Sequence, residues 1–211
     1  MTVMQHIDYD SIAEIYDLYV NANYDIPFFL SEIKPVQGPI LELMAGTGRL
    51  SLPLIESGAK LMCVDSSSAM LDVLSRKLQQ RGLHAEVVCA DVCQLSLSTQ
   101  FELAIRRKQV DGLLRLVGQF PTEGGTLIES GFEQGGNPVV SRQQFFEFFD
   151  SDGRLLEKRL LQMKFAFVEK DEFEQMAQDA GFRIAQLYGS YDRAPFDPAQ
   201  SPVMIWRFEK D

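Results

Sequence analysis

The chain has 211 residues, 45% of them apolar and 24% charged, with a formal net charge of −10. That is enough for one domain with a sizeable core, and the acidic balance argues against a general nucleic-acid binder, which would show a basic face to phosphate. No apolar run reaches the roughly 18 residues of a membrane span, and "MTVMQHIDYD" has no basic start followed by an apolar block, so the expectation is a cytoplasmic protein with neither membrane nor nucleic-acid partner.

In chain order, the first ~33 residues read as helical. Ile12, Ile15, Tyr16 and Tyr19 recur at helical spacing, and Asp10 or Ser11 with Glu14 suits a capping box. Pro27 predicts two short helices rather than one. "GPILEL" reads as a short buried strand, and "GTGRLSLPLIESG" as a turn and helix stopped at Gly58, with Pro53 near its first turn. "AKLMCV" is a second strand, and "SSSAMLDVLSRKLQQRG" an amphipathic helix with serine caps and a stop at Gly82. "HAEVVCA" and "FELAI" are the third and fourth strands. Strands alternating with such helices predict a parallel sheet with right-handed crossovers.

After Ile105 the rhythm changes. Asp111–Gly112, Gly124–Gly125, Gly135–Gly136 and Asp152–Gly153 punctuate the chain as hairpin turns do. Leu161, Met163, Phe165 and Phe167 alternate with Gln162, Lys164 and Ala166, as in a half-buried strand. Val110, Leu113, Leu114 and Val117 also fit a helix face, but Gly112 makes that helix poor. The region reads as an antiparallel meander. From Val168 the parallel rhythm is expected to resume, with a helix over "EKDEFEQMAQDAG" and strands at "FRIAQLYG" and "SPVMIWRFEK". The aromatic run Phe145, Phe146, Phe148 and Phe149 either roofs an apolar ligand or, more in keeping with such residues, buries the sheet against the core or a partner subunit in a homodimer.

The chemistry-bearing stretch is "ELMAGTGR", the turn after the first strand. Gly46 and Gly48 let backbone N–H groups approach a ligand. Glu42, at the end of that strand, would repel a pyrophosphate but suits a sulfonium or ammonium. The third glycine of a dinucleotide fingerprint would fall at Ser51. Asp65, at the tip of the second strand, can accept both hydrogen bonds of a ribose diol. The ligand implied carries a ribose, no diphosphate and some positive charge. S-adenosylmethionine fits and NAD fits poorly. The three cysteines lack CxxC spacing and read as reduced thiols, with Cys63 and Cys89 as small buried hydrophobes. His6 and His84 are too scattered for a metal site, and none is expected.

On "YDSIAEIYD", "ILELMAGTGRLSLPLIESG", "CVDSSSAMLDVL", "VVCADV", "FELAI", "EFEQMAQDAGF" and "LYGSYDRAPF", the sequence resembles a class I S-adenosylmethionine-dependent methyltransferase acting on small molecules, over residues 9–105 and 168–208. The resemblance implies an α/β fold: a Rossmann-like, mostly parallel sheet with helices on both faces, plus an antiparallel β appendage. It implies a single methyltransferase-like domain over 1–211: an N-terminal helical lid at 1–33, a cofactor-binding half at 34–105, the appendage at 106–167 and a C-terminal return to the core sheet at 168–211.

The same resemblance assigns roles. Glu42, Ala45 and Gly46, within the turn that continues through Thr47 and Gly48, line the methionine end of the cofactor. Asp65 takes the ribose hydroxyls, and Ser66 and Met70 flank the adenosine. Asp91 with the backbone of Val92 faces the adenine. Tyr16, with Tyr9 nearby, covers the methionine portion. Arg49 either meets the cofactor carboxylate or pairs with a core carboxylate. Tyr191, Asp192 and Arg193 line the acceptor pocket or form a polar surface loop. The sequence departs from the family at Met44, where glycine is usual. It departs again after Ile105, where the chain is short of a full βαβ unit by on the order of 40 residues; a real deletion would leave the fourth strand beside a gap or have it filled by "TLIES". That departure keeps open a non-catalytic cofactor-binding relative as the alternative to a methyltransferase with a small-molecule acceptor.

Overall fold

The computed structural model describes residues 8–92, 95, 103–106, 115–134, 139–166 and 168–210. They fall into two compact units, one running to Phe165 and one from Ala166. The third cysteine, Cys93, the helix-or-strand question over 110–114 and the link between the fourth strand and the appendage lie outside the described residues.

The first unit opens with a 3-10 helix, Asp10–Ile15, which runs into the four-residue α1, Tyr16–Tyr19. The next helix, α2 (Ile26–Ile33), carries Pro27 in its first turn, where a missing N–H costs little. The expected capping box does not form. Ser67 Oγ donates to Asp10 Oδ1 at 2.5 Å, and the same oxygen accepts from the Ala69 N–H at 3.2 Å. Asp10 therefore caps another helix, and Glu14 pairs with Arg76 across the molecule. A carboxylate gains more from distant unsatisfied N–H groups than from a 3-10 turn too short to present them.

Next come β1 (Ile40–Leu43), α3 (Ser51–Glu56), β2 (Leu61–Asp65), α4 (Ser68–Arg81), β3 (Glu86–Cys89) and β4 (Leu103–Arg106). The strands form a parallel sheet in the order β3-β2-β1-β4. Leu61, Met62, Cys63 and Val64 are all buried, although successive residues face opposite sides. A strand buried on both faces needs cover on both, as parallel sheets with crossover helices provide. α4 starts on Ser67, whose hydroxyl accepts from the Met70 N–H, and stops on left-handed Gly82. Cys63 is buried as expected, but Cys89 is exposed, because β3 ends the sheet and its outer positions face water.

Four long strands follow: β5 (Arg115–Thr122), β6 (Gly125–Gln134), β7 (Val139–Asp150) and β8 (Leu155–Ala166). They form the expected antiparallel meander. "TLIES" is part of β6, paired with β5 and β7, and so does not fill in beside β4. Leu127, Phe146, Leu161 and Met163 from this sheet are buried against Ile12, Ala13 and Ile15 of the N-terminal segment and Met70 and Val73 of α4. At roughly 1.5–3 kcal/mol per fully buried large side chain, this cluster fastens three separate parts of the chain together. Phe146 is fully buried in it, so the aromatic run serves the core there.

The second unit holds α5 (Lys170–Asp179), β9 (Phe182–Tyr188) and β10 (Ile205–Lys210). Here the parallel rhythm does not resume: β9 and β10 pair antiparallel. Between them lies a loop with no crossover helix, and a parallel pair needs one. Phe173 packs at a tilt against Trp206, whose Nε1 donates to Glu174.

Candidate functional site

Parallel strands bring their C-terminal ends to one edge, and ligands of such sheets bind there. At this edge the chain leaves β1 through Met44, Ala45, Gly46, Thr47 and Gly48. The Ala45 N–H donates to Val64 O at 3.0 Å, which folds the turn over the tip of β2. The Gly46 N–H donates to Asp65 Oδ2 at 2.8 Å, and the Ser67 N–H to Oδ1 at 2.9 Å. Two backbone donors thus hold the Asp65 carboxylate in one orientation, one on each oxygen. A carboxylate oxygen has two acceptor sites, so both can still receive a hydroxyl.

The two glycines serve different ends. Gly46 is left-handed, at φ +57°, with open space where a side chain would stand. Gly48, at φ +85°, abuts α4: a Cβ there would lie 2.3 Å from Leu74 Cδ1. Gly46 leaves room for a ligand, whereas Gly48 is demanded by helix packing. Met44 is also left-handed, at φ +61°, and half exposed, which explains why this place favours glycine.

Glu42 is buried in β1, beside Cys63 in register. Burial first, and then the Glu42 charge, push the Cys63 thiol up to about 12. That thiol stays protonated and is not a nucleophile. Thr47 is buried, its Oγ1 donating to Asp17 Oδ1 at 2.7 Å. Lys77 pairs with the same Asp17 and donates to Thr47 O at 2.9 Å. These bonds hold α1 to the glycine turn and bring Tyr16 with it. The Tyr16 ring lies edge-on to Tyr9 at 6.2 Å and to Tyr19 at 5.4 Å. Burial foremost, then Tyr16 and Asp65, push the Tyr9 phenol up to about 12.

The Ala90 N–H donates to Asp65 O at 2.9 Å, which sets Asp91 and Val92 beside the β2 tip, with Asp91 exposed. Ser66 is exposed at the same edge. Met70 is 2% exposed and packs into the core cluster under the N-terminal segment. Arg49 takes the second of its two expected courses: its guanidinium forks onto buried Asp25 with both contacts at 2.8 Å, and donates to Ala22 O. In the second unit Asp192 accepts from Ser190 and Ala194, the bonding of a polar surface loop.

One buried polar group went unread in the sequence. Glu129 of β6 is 1% exposed, with one oxygen on Gln144 Nε2 at 2.6 Å and the other without a partner. Its signal was the parity of "TLIES": two residues after Leu127, it shares the inward face. Among the described residues no helix is long and apolar enough to cross a membrane, and no group of three potential metal ligands occurs.

Residues 40–111 match the family model described as a methyltransferase domain. The chain is 30% identical over 135 residues to the Cypemycin N-terminal methyltransferase of a Streptomyces species, a match spanning 57% of this chain and 54%, about half, of that protein. Among solved structures it is similar to an S-adenosylmethionine-dependent methyltransferase from Clostridium acetobutylicum (TM-score 0.71, 16% identity, 92% of this chain and 95% of that one). It is similar also to the CcbJ methyltransferase from Streptomyces caelestis (TM-score 0.72, 18% identity, 95% and 96%). The expected α/β architecture and its antiparallel appendage agree with both. The chain thus has the fold of the S-adenosylmethionine-dependent methyltransferases to which it is similar, and its residues 40–111 are similar to a methyltransferase domain.

Proposed function

We propose that the chain, acting as a single methyltransferase-like domain, transfers a methyl group from S-adenosylmethionine to a small-molecule acceptor. The observation that carries this reading is the Asp65 carboxylate, oriented by the Gly46 and Ser67 N–H groups at the open edge of the parallel sheet. The residues present fit the cofactor. Asp65 keeps one acceptor site on each oxygen for a ribose diol, Gly46 leaves space above the turn, and Glu42 supplies negative charge suited to a sulfonium. Ala45, Thr47 and Gly48 shape the turn, Ser66, Asp91 and Val92 border the adenosine side, and Tyr16 covers the methionine side, whereas Met70 serves the core. Arg49 supports the site through Asp25.

When bound, the cofactor supplies a methyl carbon activated by positive sulfur. The protein's part is alignment and exclusion of water, and the tyrosine-bearing segment over the turn is placed for both. Calorimetric titration with S-adenosylmethionine and S-adenosylhomocysteine tests the reading: saturable micromolar binding supports it, and no heat with either ligand overturns it.

A further inference from the structure

We infer that the inner face of the antiparallel sheet beneath Tyr19 is the acceptor site, with the Glu129 carboxylate receiving the acceptor nitrogen, and that the acceptor is an amine; this rests on the methyl-transfer reading above. Register places Glu129 opposite Phe146, and Leu127, two residues before it on β6, shares its face. The Tyr19 ring lies 4.9 Å from that of Phe146. Glu129 Oε1 accepts from Gln144, and Oε2 has nothing. An unsatisfied carboxylate oxygen in such a place carries a desolvation penalty. A ligand that donates to it and carries positive charge removes that penalty, and aromatic faces nearby favour a cation.

The position suits transfer. Tyr9 senses the charge of Asp65, and Tyr19 senses that of Glu129, with Tyr16 between them. One row of tyrosines therefore runs from the ribose-binding carboxylate to Glu129. The acceptor enters by displacing α1, which has no fully buried residue and is tied to the turn through Asp17, while Ile12, Ala13 and Ile15 stay packed in the core. The half-exposed Asp17–Lys77 ion pair contributes about 1 kcal/mol or less.

The charges around Glu129 select nitrogen over oxygen. Burial pushes its carboxyl up to about 7, against the opposing Arg142 charge and the Gln144 hydrogen bond; the Tyr19 phenol is the other titrating group that interacts with it. Ammonium groups titrate at about 8 to 10, within reach of that carboxylate, whereas an alcohol does not release its proton to so weak a base. The ammonium gives one proton to Oε2. The nitrogen lone pair so released forms the bond to the methyl carbon as the carbon–sulfur bond breaks, its electron pair remaining on sulfur. The product departs as a methylated ammonium, and Glu129 returns its proton to water.

The test uses the full chain saturated with S-adenosylhomocysteine, titrated calorimetrically with phenethylamine against 2-phenylethanol and with glucosamine against glucose. Methyl transfer from S-adenosylmethionine to the same four compounds is measured in parallel. An amine is expected to bind at least tenfold tighter than its matched alcohol. Glu129→Gln is expected to lose at least tenfold of that affinity and a hundredfold of transfer, with S-adenosylhomocysteine binding unchanged within twofold, and Glu129→Asp to recover part. Equal binding and transfer by Glu129→Gln, preference for an alcohol, or no uptake of either amine by the loaded wild type overturns the assignment. Failure of the wild type to bind S-adenosylhomocysteine overturns the cofactor reading instead. If Glu129→Gln does not fold, amine binding by the wild type decides: it must strengthen as pH rises through about 7, and a flat profile overturns the proposal.

Discussion

The parallel sheet and the antiparallel sheet of the first unit are built by different rules, and their sites differ accordingly. In the parallel half, the turn, the carboxylate and the helix caps that orient them lie within residues 42–70. Asp65 is held by groups 19 and two residues away. In the antiparallel half, Glu129 is defined by the strands paired on either side of it, with Gly118 of β5 and Phe146 of β7 opposite it and Gln144, also of β7, as its hydrogen-bond partner. The first kind of site is written in spacing, whereas the second exists only once the strands have paired. A perturbation in the parallel half should therefore act on the turn as a unit, and one in the antiparallel half on a single buried charge.

The largest effect is expected at the support of the turn. Arg49→Ala leaves Asp25, which is fully buried, without its cation. Breaking a buried pair from one side costs about 3–5 kcal/mol, to be read as a lowered urea midpoint; a midpoint unchanged from wild type would show the pair to be dispensable. Gly48→Ala comes next, at about 2 kcal/mol from left-handed strain and the encroachment on Leu74. Thermal melting checks it, and Gly46→Ala, with open space at its Cβ, should destabilise less. Asp65→Ala should weaken S-adenosylhomocysteine at least tenfold, about 1.4 kcal/mol, measured by calorimetry.

The antiparallel half answers through pH. The Glu129 carboxyl is raised in the folded state from its ordinary 4.5 to about 7. The folded protein therefore holds a proton that the unfolded chain has released. That contribution is complete below about 4.5 and is lost as pH rises through about 7. Urea unfolding from pH 4.5 to 8 should show the decline, and Glu129→Gln should flatten it. An identical slope in the variant would assign the decline to other groups. The smallest effect is at Met44. Met44→Gly relieves a left-handed side chain worth about 1 kcal/mol, partly offset by glycine's chain entropy. Binding of S-adenosylhomocysteine should tighten severalfold with little change in Tm.

The sequence was legible where structure is local. The strand–turn–helix order, the stops at Gly58, Gly82 and Gly181, and the serine cap at Ser67 all depend on neighbours within a few residues. It misled where a local rule met a stronger distant partner. Asp10, Ser11 and Glu14 have the spacing of a capping box, yet Asp10 caps α4 and Glu14 meets Arg76. Cys89 lies in an apolar run but at the sheet's exposed edge. The two strands after Val168 read as parallel but pair antiparallel, because pairing direction depends on the connection and not on strand composition.

By itself the sequence determined the elements of the parallel half, the glycine turn and the acid that faces it, since helix periods, caps and turn dihedrals are set by short-range sterics and hydrogen bonds. Only the tertiary structure decided that Arg49 is held by Asp25, that the tyrosines of the N-terminal segment line up over the turn, and that Glu129 is sealed inside with one oxygen unmet. Burial and cross-strand pairing join residues far apart in the chain, and no spacing in the sequence encodes which of them will meet.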